Sequence, residues 1–272
     1  IHHPITFDFK FELASSKKIK YKISRYLWYS FLRMQRKVAP KISNIITPSQ
    51  SSKKGIMDEF NCKGSSITVI NNGLDAQEFC PIPNSTRNKN RLITTASADV
   101  PLKGLDYSLK ALKLLKKDNP KMHLVVIGNY KKNGHTERLI KKLGIEQDVI
   151  FKKNISKDEI KKLYSSSSIA IVSSLYEGFG YPVIEAMSCE VPIIATNVSS
   201  IPELVSDFGT LIEPKNENQL KRSIIKVMQN YDHFKDIAIK GRQHVIETFN
   251  WSKITSEYEK IIYETVDRFK KC

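Results

Sequence analysis

The stretch Ile169–Thr196, with the sequence IAIVSSLYEGFGYPVIEAMSCEVPIIAT, decides the fold. It contains two short apolar runs, Ile169–Val172 and Val191–Ala195, which are typical of parallel strands buried on both faces. Between them, the glycine-rich turn 177–180 precedes Pro182, whose fixed φ suits the first position of a helix. The stretch therefore predicts a strand, a turn, a helix over 183–189 and a second parallel strand.

The turn Glu177-Gly178-Phe179-Gly180-Tyr181 has the composition of a phosphate site. Glycines let the backbone approach a ligand closely, and the N-terminus of the following helix offers backbone amides to an anion. Two carboxylates flank the site, Glu177 on the turn and Glu185 about one turn into the helix. Because a carboxylate aimed at a phosphate is repulsive, we expect both to accept hydrogen bonds from hydroxyl groups on either side of it, as on a sugar and a ribose.

Glu177 and Glu185, eight residues apart around GFGYPVI, resemble the paired-glutamate signature of retaining glycosyltransferases of family 4, which have the GT-B fold. The resemblance extends to about Trp251, and the other matching segments are SSLYEGFG at 173–180, EAMSC at 185–189, PIIAT at 192–196 and IPE at 201–203. It implies an α/β protein with two Rossmann-like, doubly wound parallel-sheet domains. It also implies transfer of a hexose, with retention, from a nucleoside diphosphate sugar to a hydroxyl of a glycan, lipid or small-molecule acceptor. The setting that we expect is cell-surface or lipid-linked glycan synthesis.

The resemblance also implies roles for single residues. Glu177 corresponds to a catalytic position, and the donor-binding positions are Gly178, Phe179, Gly180, Tyr181 and Glu185. In this family a histidine that follows a strand of the first domain reaches the donor sugar across the interdomain cleft. We assign that catalytic role to His2, with His3 as the alternative.

A second loop, around Lys103, matches the family only in part. Lys103, followed by a glycine, corresponds to a lysine that neutralises the pyrophosphate of the donor. The family also has an arginine five or six residues earlier, where this chain has Ala98 and Ser97. A lone lysine is still a competent point charge for a phosphate. We therefore predict Lys103 as a donor-binding residue and leave open which second cation assists it.

The predicted organisation has four parts. Residues 1–80 form a partial N-terminal, acceptor-side domain, 81–90 a linker, 91–250 the nucleotide-sugar-binding domain, and 251–272 a helix that crosses back to the first domain. Since the chain begins with Ile1, we expect the first part of its N-terminal domain to be missing. Strands that alternate with helices indicate a doubly wound parallel sheet in the second domain. Its predicted strands are Leu92–Ala96, His123–Ile127, Val149–Phe151, Ile169–Val172, Val191–Ala195 and Thr210–Ile212.

The start of the first domain is predicted from weaker patterns. Residues His2–Thr6 resemble the end of a strand and the loop after it, and 17–38 is predicted as one helix with an apolar face. That face comprises Ile23, Leu27, Phe31, Met34 and Val38. A basic amphipathic helix with aromatic residues can lie on a membrane surface. It can also pack against a core, and the sequence favours this second interpretation.

The formal net charge of +16 narrows the class of partner. Lysine is spread over most predicted helices, which is typical of a solvated surface, and no RNA-binding motif, zinc finger or basic zipper is found. We therefore predict no nucleic-acid partner, and the positive field favours phosphorylated substrates or an anionic membrane. No apolar run approaches the roughly 20 residues of a membrane span. The four cysteines, Cys62, Cys80, Cys189 and Cys272, lack metal-binding spacing and indicate reduced thiols. A cytoplasmic location is therefore expected, with peripheral attachment at the inner face of the membrane left open.

Two alternatives remain beside the transferase. A dinucleotide-dependent redox enzyme would need a third glycine where Val183 stands and an acidic residue near Asn197, so the pattern disfavours it. A non-catalytic basic module that binds RNA or a membrane is the other alternative. Because no D-x-D pair occurs, the sequence suggests neither a metal-bridged pyrophosphate nor a cofactor.

Overall fold

The computed structural model describes residues 1–15 and 18–270. Lys17, the predicted start of the first long helix, and Cys272 lie outside these residues. Contacts divide the chain into two compact units. Unit 1 comprises residues 1–73 together with the segment from Phe249 onward, and unit 2 comprises residues 74–248.

The helices and strands of the described residues alternate along most of the chain. In chain order they are α1 (Thr6–Ser15), α2 (Ile19–Trp28), α3 (Leu32–Val38), β1 (Ile45–Thr47), α4 (Gln50–Phe60), β2 (Ile67–Val69), β3 (Asn88–Thr95), α5 (Leu105–Leu115), β4 (His123–Ile127), α6 (His135–Leu143), β5 (Val149–Lys152), α7 (Lys157–Ser165), β6 (Ser167–Val172), α8 (Tyr181–Ser188), β7 (Ile193–Thr196), α9 (Ile201–Val205), β8 (Thr210–Ile212), α10 (Glu217–Gln229), α11 (Tyr231–Thr248) and α12 (Trp251–Lys270).

Unit 2 is built on a parallel sheet with the strand order β5-β4-β3-β6-β7-β8 within the described residues. Counted from β3 as the first strand, this is the 3-2-1-4-5-6 order of a doubly wound Rossmann-type sheet. The order reverses between β3 and β6, where Leu92 pairs with Ile169. In open α/β sheets a ligand binds beyond the carboxyl ends of the strands at such a reversal point. The topology therefore confirms the predicted α/β class and singles out the loops that follow β3 and β6.

The core of unit 2 explains why its strands are read correctly from the sequence. Every residue of β6 is buried, and alternate residues Ile169 and Ile171 belong to one cluster with Leu109 and Leu112 of α5 and Ile224 of α10. A strand covered by helices on both faces must be apolar without interruption, which is the signal that the sequence carries.

Residues 81–90, predicted as the interdomain linker, belong to unit 2 instead. The Arg87 guanidinium donates hydrogen bonds to the carbonyl oxygens of Tyr164, Ser167, Cys189 and Glu190, at 2.8–3.0 Å. Strand β3 begins directly after Arg87. The segment therefore contains a half-buried arginine that binds four carbonyl oxygens of unit 2 and the start of a strand. The boundary between the units falls after residue 73.

In unit 1, β1 and β2 form a parallel pair joined by α4, whose N-terminus is capped by Ser49. The C-terminal helix α12 belongs to this unit, and the Asn44 amide donates to the Thr265 hydroxyl at 2.7 Å. The strand end predicted near residues 2–6 is wrong, because the chain there leads into α1. Asp8 in the first turn of α1 favours a helix N-terminus, a signal that the sequence interpretation missed.

The long helix predicted to end at Val38 is divided. A 3₁₀ turn, Tyr29–Phe31, separates α2 from α3. Because a 3₁₀ turn has three residues rather than 3.6, it rotates the faces of the two helices relative to the assumed stripe. Tyr29 and Leu32 are buried, and the Tyr29 ring lies 5.0 Å from that of Phe9 on α1. The predicted apolar face is largely exposed instead, so its assignment to a core is wrong for this chain.

Candidate functional site

The loops after β3 and β6 are fastened to each other. The Leu175 amide donates to the Leu102 carbonyl at 2.7 Å, and the Ser173 hydroxyl donates to the Gly104 carbonyl at 3.0 Å. Gly104 has φ +60°, and a Cβ added there would lie 1.9 Å from the carbonyl oxygen of Ser173. Only glycine permits this approach, and the approach places Lys103 beside the loop that carries Glu177.

Lys103 and Glu177, predicted separately for phosphate and for sugar, contact each other. Lys103 Nζ lies 2.7 Å from Glu177 Oε1, which also accepts a hydrogen bond from the Ser174 hydroxyl at 2.7 Å. Glu177 is 8% exposed, and its backbone amide donates to Ser199 Oγ at 2.8 Å. The Ser200 hydroxyl donates to the Glu177 carbonyl at 2.9 Å. The carboxylate is therefore held in one orientation, with a cation adjacent to it.

The predicted donor turn immediately follows this ion pair. Gly180 has φ +116° and forms the N-cap of α8, so the helix begins at Tyr181, two residues earlier than predicted. Phe179 is buried and its ring meets the Tyr181 ring edge-on at 5.5 Å, while Gly178 and Tyr181 are more exposed. The Ser200 hydroxyl donates to the Phe179 carbonyl. The turn thus presents the N-terminus of an eight-residue helix at the carboxyl edge of the sheet.

Glu185 lies inside α8 against a buried tyrosine. Its Oε2 accepts a hydrogen bond from the Tyr164 hydroxyl at 3.4 Å, and that hydroxyl is 2.9 Å from Thr95 Oγ1. Burial raises the pKa of Glu185 to about 7, and the hydrogen bond from Tyr164 acts in the opposite direction. Tyr164 is on α7 and Thr95 ends β3, so no sequence spacing could have paired either with Glu185.

The loop where the family arginine is missing is tied to α6. The Ala98 amide donates to the Asn129 carbonyl at 2.8 Å. The Asp99 amide donates to Thr136 Oγ1 at 3.0 Å, and Asp99 Oδ1 accepts from the Thr136 amide at 2.7 Å. Although burial acts to raise the pKa of Asp99, these hydrogen bonds and nearby Lys131 lower it overall. The Asp99 carboxylate therefore caps the N-terminus of α6. It places a fixed negative charge four residues before Lys103, in the same loop.

His2 lies in unit 1, a different unit from that of Glu177 and Lys103. Its side chain is exposed, and its carbonyl accepts a hydrogen bond from Thr47 Oγ1 at 3.5 Å. The ring of the alternative, His3, lies 2.9 Å from Asp8 Oδ2. The assignment of His2 stays a prediction.

Within residues 1–15 and 18–270, no group of three or more His, Cys, Asp or Glu side chains is placed to hold a metal ion. Across that same part of the chain, no helix combines the length and the apolarity that crossing a bilayer requires.

Comparison with known proteins gives consistent matches. Residues 78–244 match the family described as Glycosyl transferases group 1. The whole chain aligns at 31% identity with the MMP alpha-(1->4)-mannosyltransferase of Mycolicibacterium hassiacum. It spans 66% of the length of that enzyme, and 58% and 42% of two further curated relatives.

Solved structures show the same fold. The sucrose-phosphate synthase of Thermosynechococcus elongatus superposes with a TM-score of 0.79 at 20% identity, over 96% of this chain and 66% of that one. Anabaena Alr3699/HepE in complex with UDP-glucose gives a TM-score of 0.77 at 20% identity, over 86% of this chain and 68% of that one. The family match and the parallel sheet with its Rossmann strand order lead to one conclusion: the chain belongs to the glycosyl transferases group 1 and has a GT-B type fold.

Proposed function

We propose that this chain serves a retaining hexosyltransferase whose donor is a nucleoside diphosphate sugar and whose acceptor is a hydroxyl of a glycan, lipid or small molecule. The observation that carries the proposal is the contact of Lys103 with Glu177, 2.7 Å apart, in the two loops that leave the reversal point of the sheet. A cation beside a carboxylate that accepts hydrogen bonds from hydroxyl groups matches the junction of a diphosphate with a sugar. Cell-surface or lipid-linked glycan synthesis is the setting that we propose.

The proposed reaction uses two kinds of group: positively charged groups that stabilise the diphosphate and carboxylates that bind hydroxyl groups. The bond from the anomeric carbon to the β-phosphate oxygen breaks, the acceptor oxygen bonds to that carbon on the same face, and the acceptor hydroxyl proton passes to the departing diphosphate. Lys103 and the N-terminus of α8 stabilise the negative charge of the departing diphosphate. Glu177 accepts hydrogen bonds from sugar hydroxyls, and Glu185 accepts them from the ribose. For His2 we propose the catalytic role that the family resemblance implies.

The ion pair does not prevent Lys103 from binding phosphate. An ammonium group has three donors, so Lys103 can retain Glu177 while it donates to a phosphate oxygen. The contact then orients the lysine before the donor arrives, and less side-chain entropy is lost on binding. This preorganisation compensates in part for the arginine that the sequence lacks at Ser97 and Ala98.

We propose that catalysis needs no metal and no cofactor, since the chain has no D-x-D pair that would bridge a metal to pyrophosphate. Transfer activity measured in the presence of EDTA should equal that measured without it. Complete loss with EDTA, restored by Mg²⁺ or Mn²⁺, would contradict metal independence.

A calorimetric donor screen tests the main proposal. Uridine, guanosine and adenosine diphosphate sugars are titrated in turn into the chain, with Lys103→Ala as the variant and Lys113→Ala, an exposed lysine of α5, as the matched control. We expect saturable binding of one donor class that Lys103→Ala weakens and Lys113→Ala does not. Absence of binding by every donor would favour the non-catalytic basic module.

Peripheral membrane association is a second proposal, carried by α2. Residues 13–57 contain eleven Lys and Arg and no Asp or Glu, and α2 exposes Ile23, Leu27 and Trp28 by 55–71%. Exposed apolar and aromatic side chains on a basic helix match the interface of an anionic bilayer. The location that we propose is the cytoplasmic face of a membrane, where a lipid-linked acceptor would be found.

Vesicle flotation tests this second proposal. The chain should float with vesicles that contain phosphatidylglycerol and not with neutral phosphatidylcholine vesicles. The double variant Leu27→Ser with Trp28→Ser should lose flotation. Ile262→Ser with Tyr263→Ser, which changes two residues of α12 that are 56% and 69% exposed, should retain it. Equal flotation with both vesicle types, or equal loss in both variants, would contradict the assignment of α2.

A further inference from the structure

We propose that Tyr164 is a positioning residue for nucleotide binding, a role that rests on the proposed function. Its hydroxyl holds one oxygen of Glu185, so that the other oxygen accepts hydrogen bonds from the ribose hydroxyls of the donor. No pattern in the sequence connects Tyr164 with Glu185, because they lie on different helices, α7 and α8.

The geometry determines the direction of the hydrogen bonds. Tyr164 is 1% exposed, and its hydroxyl lies 2.9 Å from Thr95 Oγ1 and 3.4 Å from Glu185 Oε2. An ionised carboxylate can only accept, and a phenol has one proton to donate. When Glu185 is charged, Tyr164 therefore donates to Glu185 and accepts from Thr95. This chain of donors links the end of β3 to α8 inside unit 2.

The carboxylate of Glu185 is left with one oxygen for a ligand. Within the described residues, the Glu185 side chain forms one hydrogen bond, which Oε2 accepts from the Tyr164 hydroxyl. Burial raises the pKa of Glu185 to about 7, and the Tyr164 hydroxyl opposes that rise because it stabilises the charged form. Removing the hydroxyl should therefore raise the pKa further and turn the carboxylate away from its bound orientation.

Other titratable groups near Glu185 do not change charge near neutral pH. Burial raises the pKa of Tyr164 well above its usual value, and burial, with Cys80 nearby, raises the pKa of Cys189 to about 12. Two arginines, Arg87 and Arg242, act on Cys189 rather than directly on Glu185. The terminal phosphate of the nucleotide itself titrates near pH 6. A pH dependence of affinity between about 6 and 8 that the 2′,3′-dideoxy nucleotide lacks would thus report the ionisation of Glu185.

The test compares Tyr164→Phe with the wild-type chain in calorimetric titrations across that pH range. The probes are UDP, GDP and ADP, and then the 2′,3′-dideoxy form of whichever binds most tightly. Tyr231→Phe is the matched control, since it removes a hydroxyl that donates to the Ser168 carbonyl at 3.3 Å. These variants keep the aromatic ring, so the packing of the core is preserved.

In the wild type, affinity should rise with pH through about 7, because only the charged carboxylate accepts two ribose hydrogen bonds. In Tyr164→Phe the midpoint should move up by about half to one pH unit, and affinity at neutral pH should fall roughly three- to tenfold. Binding of the dideoxy nucleotide should be the same in both, since it has no hydroxyls for Glu185. An unchanged midpoint in Tyr164→Phe, or an equal loss of affinity for the dideoxy form, would overturn the role of Tyr164.

A second measurement does not depend on nucleotide. The side-chain carboxyl of Glu185 is followed by ¹³C NMR in glutamate-labelled protein and assigned with Glu185→Gln. It should titrate near pH 7 in the wild type and higher in Tyr164→Phe. If that variant does not fold, Thr95→Val removes the donor to Tyr164 and should raise the pKa in the same direction by less. Failure of all three nucleotides to bind the wild type would refute the proposed function, whereas an unchanged carboxyl titration would refute the role of Tyr164.

Discussion

Helices α2 and α8 both carry apolar residues at helical spacing, yet the apolar face of α2 is exposed and that of α8 is buried. No residue of α2 is buried, and its Leu27 is 71% exposed. In α8, by contrast, Ile184 is 0% exposed, and Val183, Ala186 and Met187 are buried with it. Periodicity in the sequence therefore indicates that a helix has an apolar face but not what covers that face.

The cause of the difference lies in the neighbours along the chain. Helix α8 stands between two buried strands, β6 and β7, which pair with each other at Ala170 and Ile193. A short crossover between parallel strands must pack on their sheet. Among the residues that the structure describes, helix α2 has no such strands beside it. It is anchored through the 3₁₀ turn after it, where the Tyr29 hydroxyl donates to Glu12 at 3.1 Å. Only the first arrangement forces burial.

The comparison is tested most directly by truncating one side chain in each helix. Ile184→Ala should lower the free energy of unfolding of unit 2 by about 2–5 kcal/mol, because it opens a cavity in a packed core. Leu27→Ala removes a similar volume from an exposed position in unit 1 and should change the free energy of unfolding of that unit by less than about 0.5 kcal/mol. Urea unfolding followed by circular dichroism measures both. A cost for Leu27→Ala as large as that for Ile184→Ala would mean that the face of α2 is covered in solution.

The pH dependence of stability tests the burial of Glu185 in α8. The pKa of Glu185 is about 7 in the folded chain against a reference of 4.5, so folding favours its protonated form. Its stabilisation is complete below about pH 4.5 and is lost as pH rises through about 7, by about 3 kcal/mol. Relative to wild type, Glu185→Gln, which cannot ionise, should therefore gain stability across this window.

Urea unfolding at a series of pH values provides the measurement. Asp99→Asn is the contrasting variant, since hydrogen bonds lower the pKa of Asp99. Its carboxylate stabilises the fold at neutral pH and loses that effect as pH falls through the acidic range. The same pH trend in both variants would contradict the burial of Glu185.

Glu177→Gln tests the role of the turn that precedes α8. The amide keeps the shape but loses the charge, so kcat/KM for transfer should fall roughly 10- to 100-fold, as for a hydrogen bond worth about 1.5–3 kcal/mol. Binding of nucleoside diphosphate should not weaken, because the amide oxygen of glutamine can still accept a hydrogen bond from Lys103 Nζ, 2.7 Å from the carboxylate in the wild type, and so keeps the lysine oriented.

Glu190→Gln is the control, since Glu190 lies just beyond the other end of α8, beside Arg242. Its kcat/KM should match that of the wild type. Normal turnover by Glu177→Gln, or weaker binding of nucleoside diphosphate, would exclude the arrangement proposed here for the donor.

Lys103→Ala should give the smallest of these effects. We expect nucleoside diphosphate to bind about fivefold more weakly and the nucleoside to bind unchanged, because a partly exposed charge pair contributes about 1 kcal/mol. Calorimetry with both ligands separates the two. An equal loss for nucleoside and nucleoside diphosphate would show that Lys103 does not contact phosphate.

The sequence by itself determined much of unit 2. The strands around Ile169–Val172 and the glycine turn before α8 follow from local patterns, and the family resemblance marks Lys103, Glu177 and Glu185 as candidate site residues. The reason is that a strand buried on both faces and a tight turn restrict the residue types at each position. Local chemistry therefore carries the signal without knowledge of the rest of the fold.

Which of these residues contact each other is seen from the tertiary structure and not from the sequence. That structure placed Lys103 against Glu177, brought Tyr164 beneath Glu185, assigned residues 81–90 to unit 2 through Arg87, and exposed the face of α2. Each of these results joins positions distant in sequence or depends on what covers a surface. Such contacts arise from strand order and packing, which periodicity and composition do not encode, because the same local pattern is compatible with several partners.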